Sequence, residues 1–266
     1  MKAVLDLSKL NQGSSGHGWH WNLNWLGCQK RAHLLDTLPR ARIAEVTPRY
    51  FLVGSVLHKL LELHESSTGY QDITFKNVPP HLAAPVDEAW EIFRHYRAYY
   101  PPGWWGAVKA RELSLIDDDG YTGRLDLVLR ILNKTHIQHW YEVGVTVGHG
   151  TYIGDYKSFT PPFDPLDYWD NPQFTGYDHL YRQKYYRQAD GTLILGINKV
   201  DRKNPPVRGL LIPPAGARQY RIWKVQLNLA YARRTSALRD LPNVAHCGYG
   251  QYRCPFYMKE CRLLSQ

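Results

Sequence analysis

Long apolar runs are missing from this sequence: no stretch of its 266 residues approaches the roughly 18 consecutive apolar residues that a membrane span needs. A membrane-spanning protein is not expected. Cysteine is scarce, with four residues, which excludes a disulfide-stapled miniprotein. Internal repeats and low-complexity tracts are also lacking, which argues against a solenoid or a disordered tail. The opening stretch, MKAVLDLSKLNQ, has Asp6 and Lys9 where a signal peptide needs an unbroken apolar segment, so a cytoplasmic protein is expected. In that reducing compartment the four cysteines are expected to be thiolates or metal ligands rather than disulfides.

What is present is ordinary globular composition, 44% hydrophobic and 21% charged, in a length that suits one large domain or one domain with an appendage. Acidic residues run out toward the C-terminus. Residues 1–178 hold 17 Lys and Arg against 20 Asp and Glu, a balance of −3, whereas residues 179–266 hold 16 against 4, a balance of +12. A basic C-terminal third suits a polyanionic partner such as nucleic acid, the bland alternative being a solvated basic face.

Periodicity predicts an α/β domain with a central mixed sheet. Residues 1–27, rich in Gly, Trp and polar residues, read as an irregular arm. Leu52, Val56, Leu57, Leu60, Leu61 and Leu63 form a helical stripe within Phe51–Glu65, and Asp87–Tyr100 reads as a second helix ended by Pro101 and Pro102. Residues 110–132 contain two alternating runs around an acidic Asp-Gly turn, the pattern of a β-hairpin. Two further strands are expected at HIQHWYEVGV (136–145) and TYIGDYKSF (151–159). Then follow a helix over Pro172–Gln188, strands at TLILGINKV and VRGLLIPP, and a long basic helix over Ala217–Arg239.

The sharpest chemical pattern is Asp155-Tyr156-Lys157, preceded by Gly123-Arg124-Leu125-Asp126. On a strand, Asp155 and Lys157 project from one face. With Asp126 on a neighbouring strand, two carboxylates and an ammonium would converge, a minimal kit for holding a hard divalent cation and stabilising an attacking water. The competing reading is a surface ion pair.

Three other features follow in a fixed order: Gly54 four residues before His58 in GSVLHKLLELH, Glu112 on the strand before Asp126, and Gln173 four residues before Tyr177. Together with G-x-x-D and D-x-K, this series resembles the RecB-type branch of the PD-(D/E)XK nuclease superfamily. The resemblance implies a restriction-endonuclease-like core with a central mixed sheet flanked by helices. It implies that His58, Asp126 and Asp155 are side-chain ligands of Mg²⁺ or Mn²⁺, that the Tyr156 carbonyl completes the shell, and that Lys157 orients or activates the water. Gln173 and Tyr177, on one helical face, would border the site, with Glu112 an accessory acid. Singly, His58 is equally read as a packed helix histidine, and Gln173 with Tyr177 as a satisfied polar pair.

Cys247, Cys254 and Cys261 are spaced C-x6-C-x6-C, while Cys28 stands far upstream. One early cysteine and three at the C-terminus resemble the iron-sulfur nucleases of the AddB type, the CRISPR-associated adaptation exonucleases and related phage proteins. Four thiolates suit a [4Fe-4S] cluster or tetrahedral Zn²⁺, and six-residue gaps favour the cluster over the short zinc knuckle. The chain then divides into an arm (1–27), a nuclease core (28–240) and a cysteine module (241–266) completed by Cys28.

The function implied is metal-dependent hydrolysis of DNA phosphodiesters. It would act as an exonuclease on single-stranded ends in recombination, repair or CRISPR spacer processing, with a helicase, recombinase or integrase partner. The basic helix carrying Arg221, Lys224, Arg233 and Arg234 is expected to hold the DNA backbone. The rival readings are a non-catalytic nucleic-acid-binding subunit and a zinc-stabilised structural protein. Protein purified without oxygen is expected to be brown and to carry about four irons per chain, with bleaching in Cys254→Ser; a colourless protein with one zinc would decide for the rival.

Overall fold

The computed structural model describes residues 2–10, 49–66, 72–169, 171–200 and 205–235, together with Leu26, Ala32, His33 and Thr37. Its centre is a five-stranded mixed sheet. In chain order the elements are β1 (Lys2–Asp6), α1 (Arg49–His64), β2 (Asp72–Lys76), α2 (Ala83–Tyr99), β3 (Ala107–Ile116), β4 (Thr122–Ile131) and α3 (Lys134–Glu142). There follow β5 (Gly150–Phe159), α4 (Leu166–Trp169), α5 (Pro172–Tyr185), β6 (Thr192–Asn198), β7 (Val207–Ile212) and α6 (Ala217–Thr235). The sheet order is β3-β4-β5-β6-β7, antiparallel throughout except for the parallel β5/β6 pair. No helix among the described residues is long and apolar enough to cross a membrane.

The two faces of the sheet are covered by different helices. Leu127, Leu129, Tyr156, Leu193 and Leu195 pack with Val53, Val56, Leu57 and Leu60 of α1 and with Ala89, Ile92 and Phe93 of α2. On the opposite face Leu125, Ile153 and Ile194 pack with Phe174, Tyr177 and Tyr181 of α5. Each fully buried aliphatic or aromatic side chain contributes about 1.5–3 kcal/mol of transfer free energy, so these two layers hold the sheet between them. Outside α5 lies α6, which buries only a narrow stripe of Trp223, Leu227 and Ala230.

Two segments differ from the sequence expectation. HIQHWYEVGV is not a strand: residues 134–142 form the helix α3. Its Asn133 side chain accepts a hydrogen bond from the His136 amide at 2.9 Å, and Gly144 follows the helix with φ +89°. These are a helix start and stop of ordinary chemistry, and they outweigh the short alternating run between them. Trp140 anchors the helix, buried and donating from Nε1 to the Trp105 carbonyl at 2.8 Å. The arm also begins with structure, since Lys2–Asp6 form β1 and pair in parallel with β2. Ala3 and Leu5 turn inward while Val4 stays exposed, a period of two that the short run allows. The remaining boundaries agree within a few residues, and α6 is described as far as Thr235.

One carboxyl is buried in the apolar layer beside α1. Glu65 accepts a hydrogen bond from the Gly103 amide at 3.0 Å, while its other oxygen has no hydrogen-bond partner. Burial raises its pKa from 4.5 to about 7, against the opposing effects of the Gly103 amide, Arg111 and the Tyr156 hydroxyl. A folded-state pKa above the unfolded one means that the protonated carboxyl favours the fold. Its contribution is complete below about pH 4.5 and is lost as pH rises through about 7, a total of about 3 kcal/mol. Glu65→Gln is expected to remove this descending limb, so thermal unfolding midpoints compared between pH 5 and pH 8 should fall less in the variant than in the wild type.

Candidate active site

The site forms where the ladder between β4 and β5 opens. The antiparallel pairing runs from Ile131↔Gly150 to Leu127↔Gly154 and stops there, so the next residues, Asp126 and Asp155, face one another without a ladder rung. The Asp126 carboxylate fills the gap. Its Oδ2 accepts the Tyr156 amide at 2.9 Å, replacing the backbone carbonyl that a continued ladder would supply. On the far side of β4, Glu112 adopts φ +46°, and the β3/β4 ladder skips its rung with Asp126 as well. Beyond the opening β5 stays in the sheet through β6, which pairs with it as far as Phe159. A supported strand thus carries Asp155 and Lys157 into the gap.

Asp155 is only 1% exposed. Its Oδ2 lies 2.6 Å from Lys157 Nζ, whereas Oδ1 is buried and has no hydrogen-bond partner. Burial raises the Asp155 carboxyl to about 6 against the opposing pull of Lys157, with the Asp126 charge adding to the rise. Burial raises Asp126 too, opposed by Lys157 and by the Tyr156 amide. For Lys157 burial alone would lower the pKa, but the Asp155 and Asp126 charges outweigh it and the ammonium ends above the ordinary lysine value. Lys157 is therefore a cation at neutral pH.

His58 enters from α1, whose Gly54 lies against Ser158 of β5 one turn earlier. Its Nδ1 is 3.4 Å from Asp126 Oδ2, and its ring meets Tyr156 edge-on. Burial and then the Lys157 charge lower its pKa to about 4, so the imidazole is neutral at physiological pH and one ring nitrogen keeps a lone pair.

The remaining wall is α5. Gln173 Nε2 donates to the Tyr177 hydroxyl at 2.5 Å, and Gln173 Oε1 is buried without a partner. Burial, followed by the charges on Asp155 and Asp126, holds the Tyr177 hydroxyl protonated. Lys157 Nζ sits 5.9 Å from the centre of the Phe174 ring, within cation-π range. Two glycines allow this close approach. A Cβ on Gly123 would come within 2.4 Å of Leu180, and one on Gly176 within 2.2 Å of the Tyr121 hydroxyl.

The structure brings His58, Asp126, Asp155, Lys157, Gln173 and Tyr177 to one place, with the Tyr156 main chain between the two carboxylates. Glu112 borders it, but its Oε2 pairs with Arg124 Nε at 2.8 Å and with Lys59 at 3.8 Å, so it acts first on its neighbours. Burial and then the Asp126 charge raise its pKa. Tyr168, which the sequence did not single out, stacks on Phe163; burial raises its pKa and the Lys157 charge opposes that rise. Its only sequence signal is an aromatic residue in a proline-rich loop.

On α6, Arg221 and Arg234 are exposed. Lys224 bonds to Asp119 in the β3/β4 turn, and Arg233 donates to the Leu26 carbonyl. Cys28, Cys247, Cys254 and Cys261 lie outside the described residues. Among the described residues no group of three or more His, Cys, Asp and Glu side chains is arranged to hold a metal ion. The donor chemistry nevertheless suits a hard cation, because an orphaned buried carboxylate oxygen, a second carboxylate and a neutral imidazole face one gap.

No family model matches the sequence, and no curated protein matches it either. Among solved structures the chain is similar to a crystal structure of a "Putative exonuclease" from Eubacterium rectale, with 14% identity and a TM-score of 0.52 over 97% of this chain and 91% of that one. A second similar structure, that of SSO0001, has 13% identity and a TM-score of 0.41 over 88% of this chain and 86% of its own, too low to bear on the argument. The first likeness is one of fold.

Gly176→Ala is expected to destabilise the protein by about 1–3 kcal/mol, because the buried Tyr121 and the α5 backbone cannot both stay in place. A midpoint in chemical denaturation equal to that of the wild type would show that α5 is free to shift.

Proposed function

We propose that the protein is a metal-dependent nuclease that hydrolyses DNA phosphodiester bonds by attack of water, acting on single-stranded ends. The observation that carries this reading is the buried Asp155 carboxylate, paired through one oxygen with a cationic Lys157 and unpartnered at the other, beside Asp126 at an opening in the sheet ladder. The fold likeness to a protein named an exonuclease supports it at a coarse level.

Asp126, Asp155, His58 and the Tyr156 carbonyl would hold Mg²⁺ or Mn²⁺, whose chemistry is to acidify a bound water and neutralise phosphate charge. The chain's own groups divide the remaining work. Lys157, kept protonated by two carboxylates, cannot take a proton at neutral pH, so it orients the attacking oxygen and offsets charge that develops on the phosphate. Neutral His58 adds a donor without adding positive charge to the site. Gln173 and Tyr177 fix each other's rotamers and close the side of the gap away from α1. The exposed Arg221 and Arg234 of α6 would contact DNA backbone. The four cysteines would carry a [4Fe-4S] cluster, a reading that rests on their spacing.

Lys157→Ala, Asp126→Ala and Asp155→Ala are each expected to lower cleavage of end-labelled single-stranded DNA by about 100-fold or more, the scale of losing a positioned catalytic group. EDTA should abolish it. Unchanged cleavage by folded Lys157→Ala would overturn the assignment.

A further inference from the structure

The helix that walls the site ends in a surface that nothing in the reaction uses. Beyond Tyr181, α5 exposes Arg182, Lys184 and Tyr185, and the chain continues with exposed Tyr186 and Arg187. The segment from His179 to Ala189 contains three cationic residues and no acidic one. The nearest carboxylates in sequence are turned to other tasks. Asp178 accepts from Gln188, the Ala215 amide and the Tyr220 hydroxyl, and Asp190 accepts from the Thr151 amide at 2.7 Å.

Tyr186 is the residue that packing does not account for. It is 93% exposed, so burial of its ring contributes little to the fold. It also occupies the left-handed conformation, φ 53° and ψ 27°, at the C-terminal end of α5, a position that favours glycine. A bulky aromatic held in a strained conformation and turned toward water is a feature associated with binding sites. Behind it the surface is ordered. Tyr181 and Tyr185 have ring centres 4.7 Å apart, and Arg187 Nη2 donates to the Tyr181 hydroxyl at 3.4 Å. The Tyr220 hydroxyl at the start of α6 donates to Asp178 of α5 at 2.7 Å, which joins α5 to the turn that precedes exposed Arg221.

We infer that the C-terminal end of α5 is a stacking platform for single-stranded nucleic acid, with Tyr186 receiving a base while Lys184, Arg182 and Arg187 lie against the phosphates. Cations with interleaved exposed aromatics recognise an unpaired strand without reading its sequence, because every base offers a π-face. A duplex keeps its bases stacked on one another and has none to offer. Nine residues separate Tyr177 at the site from Tyr186, about 14 Å along a helix. A strand held at Tyr186 is therefore within a few nucleotides of the opening between Asp126 and Asp155, although the α5 turns from Gln173 to Tyr181 are themselves largely buried. Delivery to the site rests on the nuclease reading; binding at the platform does not.

The test is the affinity of full-length protein for a fluorescein-labelled single-stranded oligothymidylate, measured by anisotropy over a salt series without added divalent metal. Tyr186→Gly suits the backbone conformation, so its unfolding midpoint should equal or exceed that of the wild type while its affinity falls about 5- to 150-fold, the effect of losing one stacked base. Lys184→Ala should flatten the dependence of log affinity on log salt by about 0.7. Unchanged affinity in folded Tyr186→Gly would overturn the inference, as would equal sensitivity of poly-glutamate binding to that substitution, which would assign the surface to acidic proteins. Wild-type protein that binds the oligomer at Tyr186 but never cleaves it would overturn only the nuclease reading.

Discussion

The site depends on one interrupted pairing. A β-sheet satisfies its backbone by continuous ladders, and between β4 and β5 the ladder stops at Leu127↔Gly154. A buried amide left without an acceptor costs about 1–3 kcal/mol, and the Tyr156 amide avoids that by bonding to the Asp126 side chain. Asp126 thus serves the backbone and the site at once: it ends the ladder, caps the exposed amide and leaves a carboxylate where the strands part. Everything near it adjusts to that arrangement, from the left-handed Glu112 on β3 to the arrival of His58 over the gap from α1.

Electrostatics then decides what each group can do. Burial raises both carboxyls, the Asp126 charge adds to the rise at Asp155, and Lys157 opposes the rise at each by remaining protonated. An ammonium in this setting is a fixed charge rather than a base. The unpartnered Asp155 oxygen is the unbalanced part of the arrangement, since a buried charged group is costly unless it is paired and hydrogen-bonded. Glu112 shows the contrast. It is close by, yet two cations from α1 and β4 already meet its charge.

Helix α5 links this chemistry to the outer surface. Its first turns place Gln173, Phe174 and Tyr177 against the site, two close contacts at Gly123 and Gly176 set its height above the sheet, and its last turn carries exposed cations and tyrosines. α6, the more basic helix by sequence, is more constrained in space. Of its cations, Lys224 and Arg233 are engaged with Asp119 and with the Leu26 carbonyl. Charge counted along a chain therefore overstates charge offered to a partner.

Much of the fold and site is written locally. The stripe of α1 and the alternation of β3 and β4 are periodic patterns of side chains, β6 is a short apolar run buried on both faces, and the i, i+2 spacing of Asp155 and Lys157 places both on one face of any strand. The i, i+4 spacing of Gln173 and Tyr177 does the same on a helix. α3 was legible as well, through Asn133 and Gly144, but an apparent alternation masked its caps. What sequence could not contain is register. That Asp126 stands opposite Asp155 follows from hydrogen bonds between strands some 30 residues apart, and a shift of one residue would turn either side chain to the other face. The engagement of Lys224 by Asp119, 105 residues away, likewise exists only once the sheet has closed. Local patterns follow from the geometry of one strand or helix; the meeting of charges follows from long-range pairing, which no single segment encodes.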